Sequence, residues 1–240
     1  MRRERMRRRV LLALFLLAGC GLVPNASPFK NQLSQTVTFE QPASFDNPAA
    51  GSGYFGGSWQ VKDGSYQQAQ SSINNFITIR RYKGGGWGSN GEAPAHYRTD
   101  VEIRAYQEAD SPQLLGYPVG ILSFIPYFRD ATHYVVLVAT PTNTGGTKVE
   151  AWAVNGYAPG GSSWPEEACL VSKWLDAPMS VGTPLVLGAE VDTKTQSLKV
   201  SINGEEQEKV HTPLLSGGKH WVALVSNGNY VQFDNLRLFK

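Results

Sequence analysis

Hydrophobic and polar positions alternate in short runs along most of this 240-residue chain. Such alternation is typical of antiparallel β-strands that bury one face. Beyond residue 35, no window of ten or more residues has sustained helical periodicity. We predict strands at 37–40, 59–62, 76–80, 100–106, 120–125, 133–139, 148–154, 185–191, 197–202, 220–225 and 230–238. The pattern therefore predicts an all-β protein.

Turn signals separate the predicted strands. The pairs Asp63-Gly64, Asn203-Gly204 and Asn227-Gly228 supply the positive φ angles that two-residue hairpins require. Residues 143–146 contain two further glycines. No break in composition divides residues 36–240, so one β-sandwich domain explains the pattern more simply than two smaller domains would.

The first twenty residues have the pattern of a bacterial secretion signal. An arginine-rich start precedes nine apolar residues, 10–18. Spanning a bilayer takes about 20 residues, so this run is too short, but it suits the apolar part of a signal peptide. The run ends in residues 17–20 (LAGC), which resemble the lipobox of bacterial lipoproteins. The resemblance implies a signal peptide over 1–19 and lipidation of Cys20. The alternatives are an ordinary signal peptide with an incidental cysteine and a misplaced start codon.

Lipidation of Cys20 would hold the protein on a membrane outside the cytoplasm, because two or more acyl chains give stable attachment. Gly21, rather than an aspartate, follows the cysteine. By analogy with known sorting rules, this favours the outer membrane in a host with two membranes. Residues 20–35 contain two prolines and no sustained period, so we expect them to be a lipidated N-terminus and flexible tether.

Charge and cysteine content exclude several classes of protein. The net charge of +2 divides into +5 within residues 1–20 and −3 in the remainder, so nucleic acid is not an expected partner. Two cysteines exclude both a disulfide scaffold and a thiolate zinc cluster. Once Cys20 is lipidated, Cys169 is the remaining thiol, and we expect it to be a buried structural residue.

Six phrases in the predicted strands are distinctive. They are 59–66 (WQVKDGSY), 120–124 (GILSF) with Arg129, 134–137 (YVVL), 192–204 (DTKTQSLKVSING), 222–227 (VALVSN) and 233–238 (FDNLRL). Together they resemble bacterial concanavalin A-like (laminin G-like) jelly-roll domains, a superfamily that includes the domain named after 3-keto-disaccharide hydrolase. The resemblance covers residues 36–240. It implies an antiparallel jelly-roll β-sandwich of the concanavalin A-like lectin/glucanase type, with Phe233 in the core between the sheets.

Catalytic motifs are weak in this sequence. Laminarinase-type glycoside hydrolases of this fold carry E-x-D-x-x-E on one strand, which places the first two carboxylates on one face. The nearest match is Glu190 and Asp192, but the third carboxylate is missing and residues 192–195 have the pattern of a turn. The four histidines lack metal-ligand spacing. We therefore favour a protein without catalysis of its own and keep a glycoside hydrolase as an alternative.

Aromatic residues in loops are the candidates for ligand binding. Trp87 and Trp164 lie among glycines in two long segments without strand pattern, where binding function is often found. Tyr127 is a third candidate, with Arg129 and His133 as nearby hydrogen-bonding groups. Sugars stack on aromatic faces through their C–H groups, so these residues predict a site for carbohydrate or cell-envelope glycan. The competing interpretation is that these rings only fill the core.

No cofactor is expected. Structural calcium occurs in the superfamily, but the sequence has no dense acidic loop that would bind it. The sequence thus favours a lipid-anchored, extracytoplasmic module that binds carbohydrate. A structural cell-envelope protein that docks onto another protein is the third possibility.

Overall fold

The structure is a computed structural model. It describes residues 33–37, 39, 44–46, 58–69, 77–85, 87, 90–107, 120–142, 144–156, 164–227 and 230–240. The predicted signal peptide, Cys20 and all but the end of the predicted tether lie outside these residues. The described residues form fifteen strands. In chain order, they are β1 Leu33–Val37, β2 Phe45–Asp46, β3 Trp59–Lys62, β4 Ser65–Gln68, β5 Ile77–Tyr82, β6 His96–Ala105, β7 Leu122–Asp130, β8 His133–Pro141, β9 Thr147–Asn155, β10 Cys169–Leu175, β11 Leu185–Asp192, β12 Ser197–Ile202, β13 Glu205–His211, β14 Trp221–Asn227 and β15 Val231–Phe239.

The strands form two sheets in which every pair is antiparallel. The first sheet has the order β13-β12-β11-β6-β15-β4-β3, and β1 also pairs with β15. The second sheet has the order β10-β9-β8-β7-β14-β5-β2. Neighbours such as β6 and β15 are far apart in sequence, so crossover connections build both sheets. The predicted all-β class is confirmed.

Side chains from facing strands fill the space between the two sheets. Phe233 of β15 is fully buried there, as the sequence predicts. Tyr97 of β6 reaches across to β7, where its hydroxyl donates a hydrogen bond of 2.7 Å to the carbonyl oxygen of Pro126. At another point the guanidinium of Arg80 on β5 lies 5.3 Å from the ring centre of Trp59 on β3. These contacts identify the inner face of each sheet.

The outer face of the first sheet is charged. Alternation along β6 and β11 brings His96 and Glu190 to this face, where His96 Nε2 lies 2.9 Å from Glu190 Oε1. Asp100 is buried on the same face and accepts from Arg98 at 3.1 Å, with Arg237 at 3.4 Å. Each of these two carboxylates has a cationic partner, since Lys199 Nζ lies 3.4 Å from Glu190 Oε2, and this offsets part of the cost of removing the charge from water.

The outer face of the second sheet is apolar at its centre. A cluster of buried residues lies there, and none of its members belongs to the first sheet; they are Ile79, Ile125, Phe128, Tyr134, Val136, Val138, Val154, Ala223 and Val225. Trp152 and Trp164 are partly buried against the cluster. Polar groups and an exposed ring occur instead at the margin formed by β9 and β10.

Most of the predicted strands and turns are observed. Strands β3 and β12 have the predicted bounds, and the turn pairs at Asp63-Gly64 and Asn203-Gly204 both adopt positive φ. Strand β1 begins at Leu33, inside the predicted tether, because it pairs with the end of β15. Strands β2, β4, β10 and β13 lie outside the eleven predicted ranges.

Candidate functional site

One tryptophan, Trp174, is much more exposed to solvent than the others. All six tryptophans of the chain lie within the described residues. Five of them are half-buried, whereas 66% of Trp174 is exposed. The faces of so exposed an indole ring are accessible to a ligand that stacks on aromatic groups.

Trp174 lies on β10, which is the edge strand of the second sheet. It pairs with Lys148 of β9, so the two side chains share the outer face of the sheet. Lys148 Nζ lies 5.7 Å from the centre of the indole ring, within range of a cation–π interaction. Sheet pairing therefore holds the exposed ring beside a charged group.

Glu150 completes this group. It follows Lys148 by two residues on β9 and faces the same side, and its Oε1 lies 2.7 Å from Lys148 Nζ. The Glu150 side chain is 14% exposed, and that of Lys148 is 33% exposed. The carboxylate is thus held in place by the sheet, while the ammonium group remains accessible to a ligand.

These side chains line an open cavity of about 440 Å³. Its volume lies within the range of small-molecule sites. The lining residues come from the end of β8, the β8–β9 turn, β9 and β10; they are Thr140, Pro141, Thr142, Thr144, Lys148, Glu150 and Trp174. We call this set the Trp174 site. It combines an aromatic face with hydroxyl, ammonium and carboxylate groups.

The turn between β8 and β9 gives the Trp174 site a fixed rim. Thr142 Oγ1 donates to the carbonyl oxygen of Gly146 at 3.1 Å and accepts from its amide at 3.0 Å. A second hydroxyl, that of Thr144, lies 3.1 Å from Thr142 Oγ1. A side chain at Gly146 would meet the carbonyl oxygen of Leu175 at 2.7 Å, so this turn packs closely against the end of β10.

Cys169 lies near the Trp174 site but is half-buried, which corrects the expectation of a buried core thiol. The reason is its place on β10, which ends the second sheet and, among the described strands, pairs only with β9. Its Sγ is 3.9 Å from Glu150 Oε1. Burial, with the negative charge of Glu150, raises the pKa of the thiol, which disfavours the reactive thiolate.

Two of the predicted ligand residues meet in the interior. Trp87 packs on Tyr97 with ring centres 4.8 Å apart, and Tyr97 in turn packs on His220 at 5.7 Å. Tyr127 contacts the same histidine at 4.9 Å and is fully buried. Burial raises the pKa of the Tyr127 phenol. The structure therefore brings Trp87 and Tyr127 together, but as parts of a packed row of rings.

The other predicted ligand residues lie at two places on the second sheet. Arg129 is exposed near the end of β7. Beyond it, His133 Nδ1 lies 2.9 Å from Asp130 Oδ1 across the β7–β8 turn. Trp164 is half-buried against Trp152, with ring centres 5.5 Å apart. Arg129 and His133 lie at the opposite end of β8 and β9 from the Trp174 site, whereas Trp164 contacts Trp152 near the middle of β9.

Glu190 and Asp192, the weak catalytic candidates, have structural partners. Burial opposes ionisation of Glu190, but contacts with His96 and Lys199 outweigh it and lower the pKa of the carboxyl. Asp192 accepts from the amides of Lys194 and Thr195, so residues 192–195 form the expected turn. The cavity beside Glu190 has a volume of about 10 Å³, which holds no more than a water molecule.

The acid–base character of the described carboxylates also bears on catalysis. The pKa is below its ordinary value at four of these carboxylates, Asp46, Asp130, Glu190 and Asp192. A glycoside hydrolase needs one carboxylic acid with a raised pKa to protonate the leaving oxygen. Within the described part of the chain, none of these four carboxylates has that property.

Among the described residues, no group of three or more histidine, cysteine, aspartate or glutamate side chains could hold a metal ion. The described part of the chain contains no helix long and apolar enough to cross a membrane.

Sequence reasoning missed Trp174, Lys148 and Glu150 as site residues. The signal was available in part, because Lys148 and Glu150 alternate with apolar residues on one predicted strand. That Trp174 lies opposite Lys148 follows only from the pairing of β9 with β10. The glycines around Trp87 and Trp164 drew attention to the loops instead.

Comparisons with known proteins establish the fold. No family model matches the sequence, and no curated protein matches it either. The carbohydrate-binding module CBM66 from Bacillus subtilis superposes with a TM-score of 0.52 at 9% identity, over 82% of this chain and 96% of the other. The Emp47p carbohydrate recognition domain gives 0.56 at 12% identity, over 85% and 93%.

A polysaccharide-degrading enzyme has the same architecture. The κ-carrageenase from Pseudoalteromonas carrageenovora, solved with an oligotetrasaccharide of κ-carrageenan, gives a TM-score of 0.54 at 7% identity, over 86% of this chain and 93% of the other. At these identities the likeness concerns the fold, which agrees with the strand order described above. The chain is an antiparallel jelly-roll β-sandwich of the concanavalin A-like type.

Proposed function

We propose that this protein is a carbohydrate-binding module and that Trp174 is its stacking platform. The observation that carries the proposal is the 66% exposure of Trp174 on a sheet face, beside a cavity of about 440 Å³. The apolar C–H face of a pyranose packs on an indole ring, and its hydroxyl groups point outward to polar neighbours. Lys148, Glu150 and the threonines of the rim supply those neighbours.

The fold supports this proposal. Solved structures similar to this chain include a protein named as a carbohydrate-binding module and another named as a carbohydrate recognition domain. The fold also occurs in enzymes, so the site has to decide between the classes. The cavity beside Glu190 has a volume of only about 10 Å³, too small for a sugar, which favours binding without catalysis at this position.

The location that we propose for the module is the cell envelope. The lipobox at residues 17–20 supports lipidation at Cys20, which would tether the sandwich outside the cytoplasm, where envelope glycans are accessible. Expression of the chain with Cys20→Ser in a bacterium that processes lipoproteins tests this proposal. The unchanged chain should incorporate a labelled fatty acid and the variant, which lacks the thiol that carries the lipid, should not; an unchanged chain without label would exclude the anchor.

A glycan array with the Cys20→Ser chain tests the binding function. We expect binding to at least one polysaccharide and a loss of about tenfold or more in affinity for Trp174→Ala, since truncation of a tryptophan that anchors a ligand typically costs about 2 kcal/mol or more. Val181→Ala is the matched control, because Val181 is another exposed apolar residue, outside the Trp174 site. An array with no bound glycan would exclude the function.

The same array separates the Trp174 site from the residues that the sequence predicts. Arg129→Ala and His133→Ala alter the end of the sheet opposite Trp174 and leave the fully buried Tyr127 in place. If the glycan binds at Trp174, both variants should retain wild-type affinity. A loss of affinity in these two variants, with none in Trp174→Ala, would place the site at the β7–β8 turn instead.

A further inference from the structure

The positive and negative charges that line the Trp174 site are equal in number, and this affects which sugars the site can bind. Its seven lining residues include one cation, Lys148, and one anion, Glu150, and the other five are uncharged. The two charges are in contact, with Nζ 2.7 Å from Oε1. We propose, on the basis of the proposed function, that the site takes a neutral glycan and recognises two adjacent hydroxyl groups through the Lys148–Glu150 pair.

The position of Glu150 disfavours an anionic sugar. Its side chain is 14% exposed and lies on a central stretch of β9, so it cannot swing away into solvent when a ligand arrives. A uronate or sulfate group drawn to Lys148 would come to rest beside this carboxylate. It would also remove the cation from a largely buried anion, and leaving such an anion without its partner is unfavourable.

A pair of neighbouring hydroxyl groups meets no such conflict. An ammonium group has three N–H donors, so Lys148 can donate to one hydroxyl oxygen while it keeps its contact with Glu150. An ionised carboxylate only accepts, so the second hydroxyl can donate to Glu150. The distance between the two charged atoms is comparable with that between oxygens on adjacent ring carbons. The pair therefore matches a vicinal diol.

The Trp174 ring and the threonine hydroxyls of the β8–β9 turn also contribute to recognition of the sugar. The Lys148 ammonium lies 5.7 Å from the centre of the Trp174 ring, so hydroxyl groups bound by Lys148 belong to a sugar above or beside the indole. The hydroxyls of Thr142 and Thr144 form an uncharged rim within the same cavity. Nothing else in the lining of this cavity would compensate a negative charge on the ligand.

Affinity measurements on the full chain carrying Cys20→Ser test the proposal. The probes are laminarin, xylan and galactomannan as neutral polysaccharides, and polygalacturonate and κ-carrageenan as anionic ones, titrated at low ionic strength. We expect at least one neutral probe to bind about tenfold or more tightly than either anionic probe. Tighter binding of an anionic probe would overturn the proposal.

Glu150→Gln is the diagnostic variant, because it keeps the shape of the side chain and removes its charge. The variant should bind the neutral probe several-fold more weakly and the anionic probes more tightly, since Lys148 is then no longer neutralised. An unchanged ratio of the two affinities would overturn the proposal. Glu166→Gln, an exposed carboxylate outside the cavity, is the control and should leave the ratio as in the wild type.

The outcomes distinguish this proposal from the one on which it rests. Failure of every polysaccharide to bind would overturn carbohydrate binding itself, and this inference with it. Neutral binding that persists in Trp174→Ala would retain the function but move the site, and would overturn the role of the Lys148–Glu150 pair. Binding that depends on Trp174 but prefers anionic probes would overturn only the present inference.

Discussion

The hydroxyl of Tyr97 donates a hydrogen bond of 2.7 Å to the carbonyl oxygen of Pro126 and thereby joins the two sheets. Pro126 lies where the register between β7 and β8 shifts, between Phe124 and Tyr127. A β-bulge of this kind frees a carbonyl group from the ladder. Burial raises the pKa of Tyr97 well above its ordinary value, so the hydroxyl remains a donor at any ordinary pH.

Removal of this bond should destabilise the sandwich. We expect Tyr97→Phe to lower the free energy of unfolding by about 1–3 kcal/mol, because the substitution leaves a buried carbonyl group without its donor. Tyr134→Phe is the matched control. Among the described residues, none accepts from or donates to the buried Tyr134 hydroxyl, so its removal should be neutral or stabilising. Urea unfolding of both variants measures the difference; equal losses would contradict the role given to the Tyr97 bond.

Position 188 on β11 has no room for a side chain, because its neighbours on the charged face lie too close. A Cβ atom there would lie 2.5 Å from both Asp100 Oδ1 and Ser201 Oγ. Asp100 is held by Arg98 and Arg237 and cannot yield freely. We expect Gly188→Ala to lower the free energy of unfolding by about 1–3 kcal/mol, as overpacking does. Thermal unfolding measures the loss.

Gly85→Ala is the control for that substitution. Gly85 is exposed, and a Cβ atom there would meet nothing within 4 Å. The change in stability should therefore stay within about 0.5 kcal/mol. If Gly85→Ala lowered stability as much as Gly188→Ala, the loss at Gly188 could not be attributed to the contact with Asp100.

The sequence was sufficient to predict most strands because polar and apolar residues alternate along them. Strand β12 (SLKVSI) alternates in this way, and its predicted bounds are the observed ones. Strand β13 (EEQEKVH) was not predicted, since an edge strand with both faces near solvent has no apolar period to detect. Its backbone is ordered by pairing with β12, a contact that forms after the Asn203-Gly204 turn.

The candidate site was harder to predict from the sequence, because it also depends on contacts between distant parts of the chain. Trp87 and Trp164 attracted attention because glycines surround them, yet small residues also let a chain fold back on itself. A Cβ atom on Gly91 would lie 2.6 Å from the carbonyl oxygen of Tyr82, so this segment folds back onto the end of β5. The exposure of Trp174 depends on where β10 falls in the sheet order, and long-range pairing sets that order. No local pattern encodes it.

The contact between His96 and Glu190 should make stability depend on pH in acid. The pKa of Glu190 is lowered in the folded protein, so its contribution to stability is complete above the pKa of the unfolded chain, about 4.3. It is lost as the pH falls through the folded value. We expect Glu190→Gln to lower the free energy of unfolding by about 1 kcal/mol at pH 7 and by much less near pH 3.

Urea unfolding at both pH values measures this difference. Glu208→Gln, on the exposed edge strand β13, is the control and should change the free energy of unfolding by less than about 0.5 kcal/mol at either pH. A deficit for Glu190→Gln that is equally large at both pH values would show that packing, rather than charge, is what the carboxylate contributes.

The exposure of Trp174 can be tested without any ligand. Acrylamide quenches tryptophan fluorescence by collision, so an exposed indole is quenched more strongly than a half-buried one. Because Trp174 is 66% exposed and the other five tryptophans are half-buried, Trp174→Phe should give the largest fall in the quenching constant and shift the remaining emission to shorter wavelength. Trp164→Phe removes an indole packed 5.5 Å from Trp152 and should have the smaller effect. The reverse order would mean that Trp174 is covered in solution, and an indole that is covered cannot serve as a platform for a sugar.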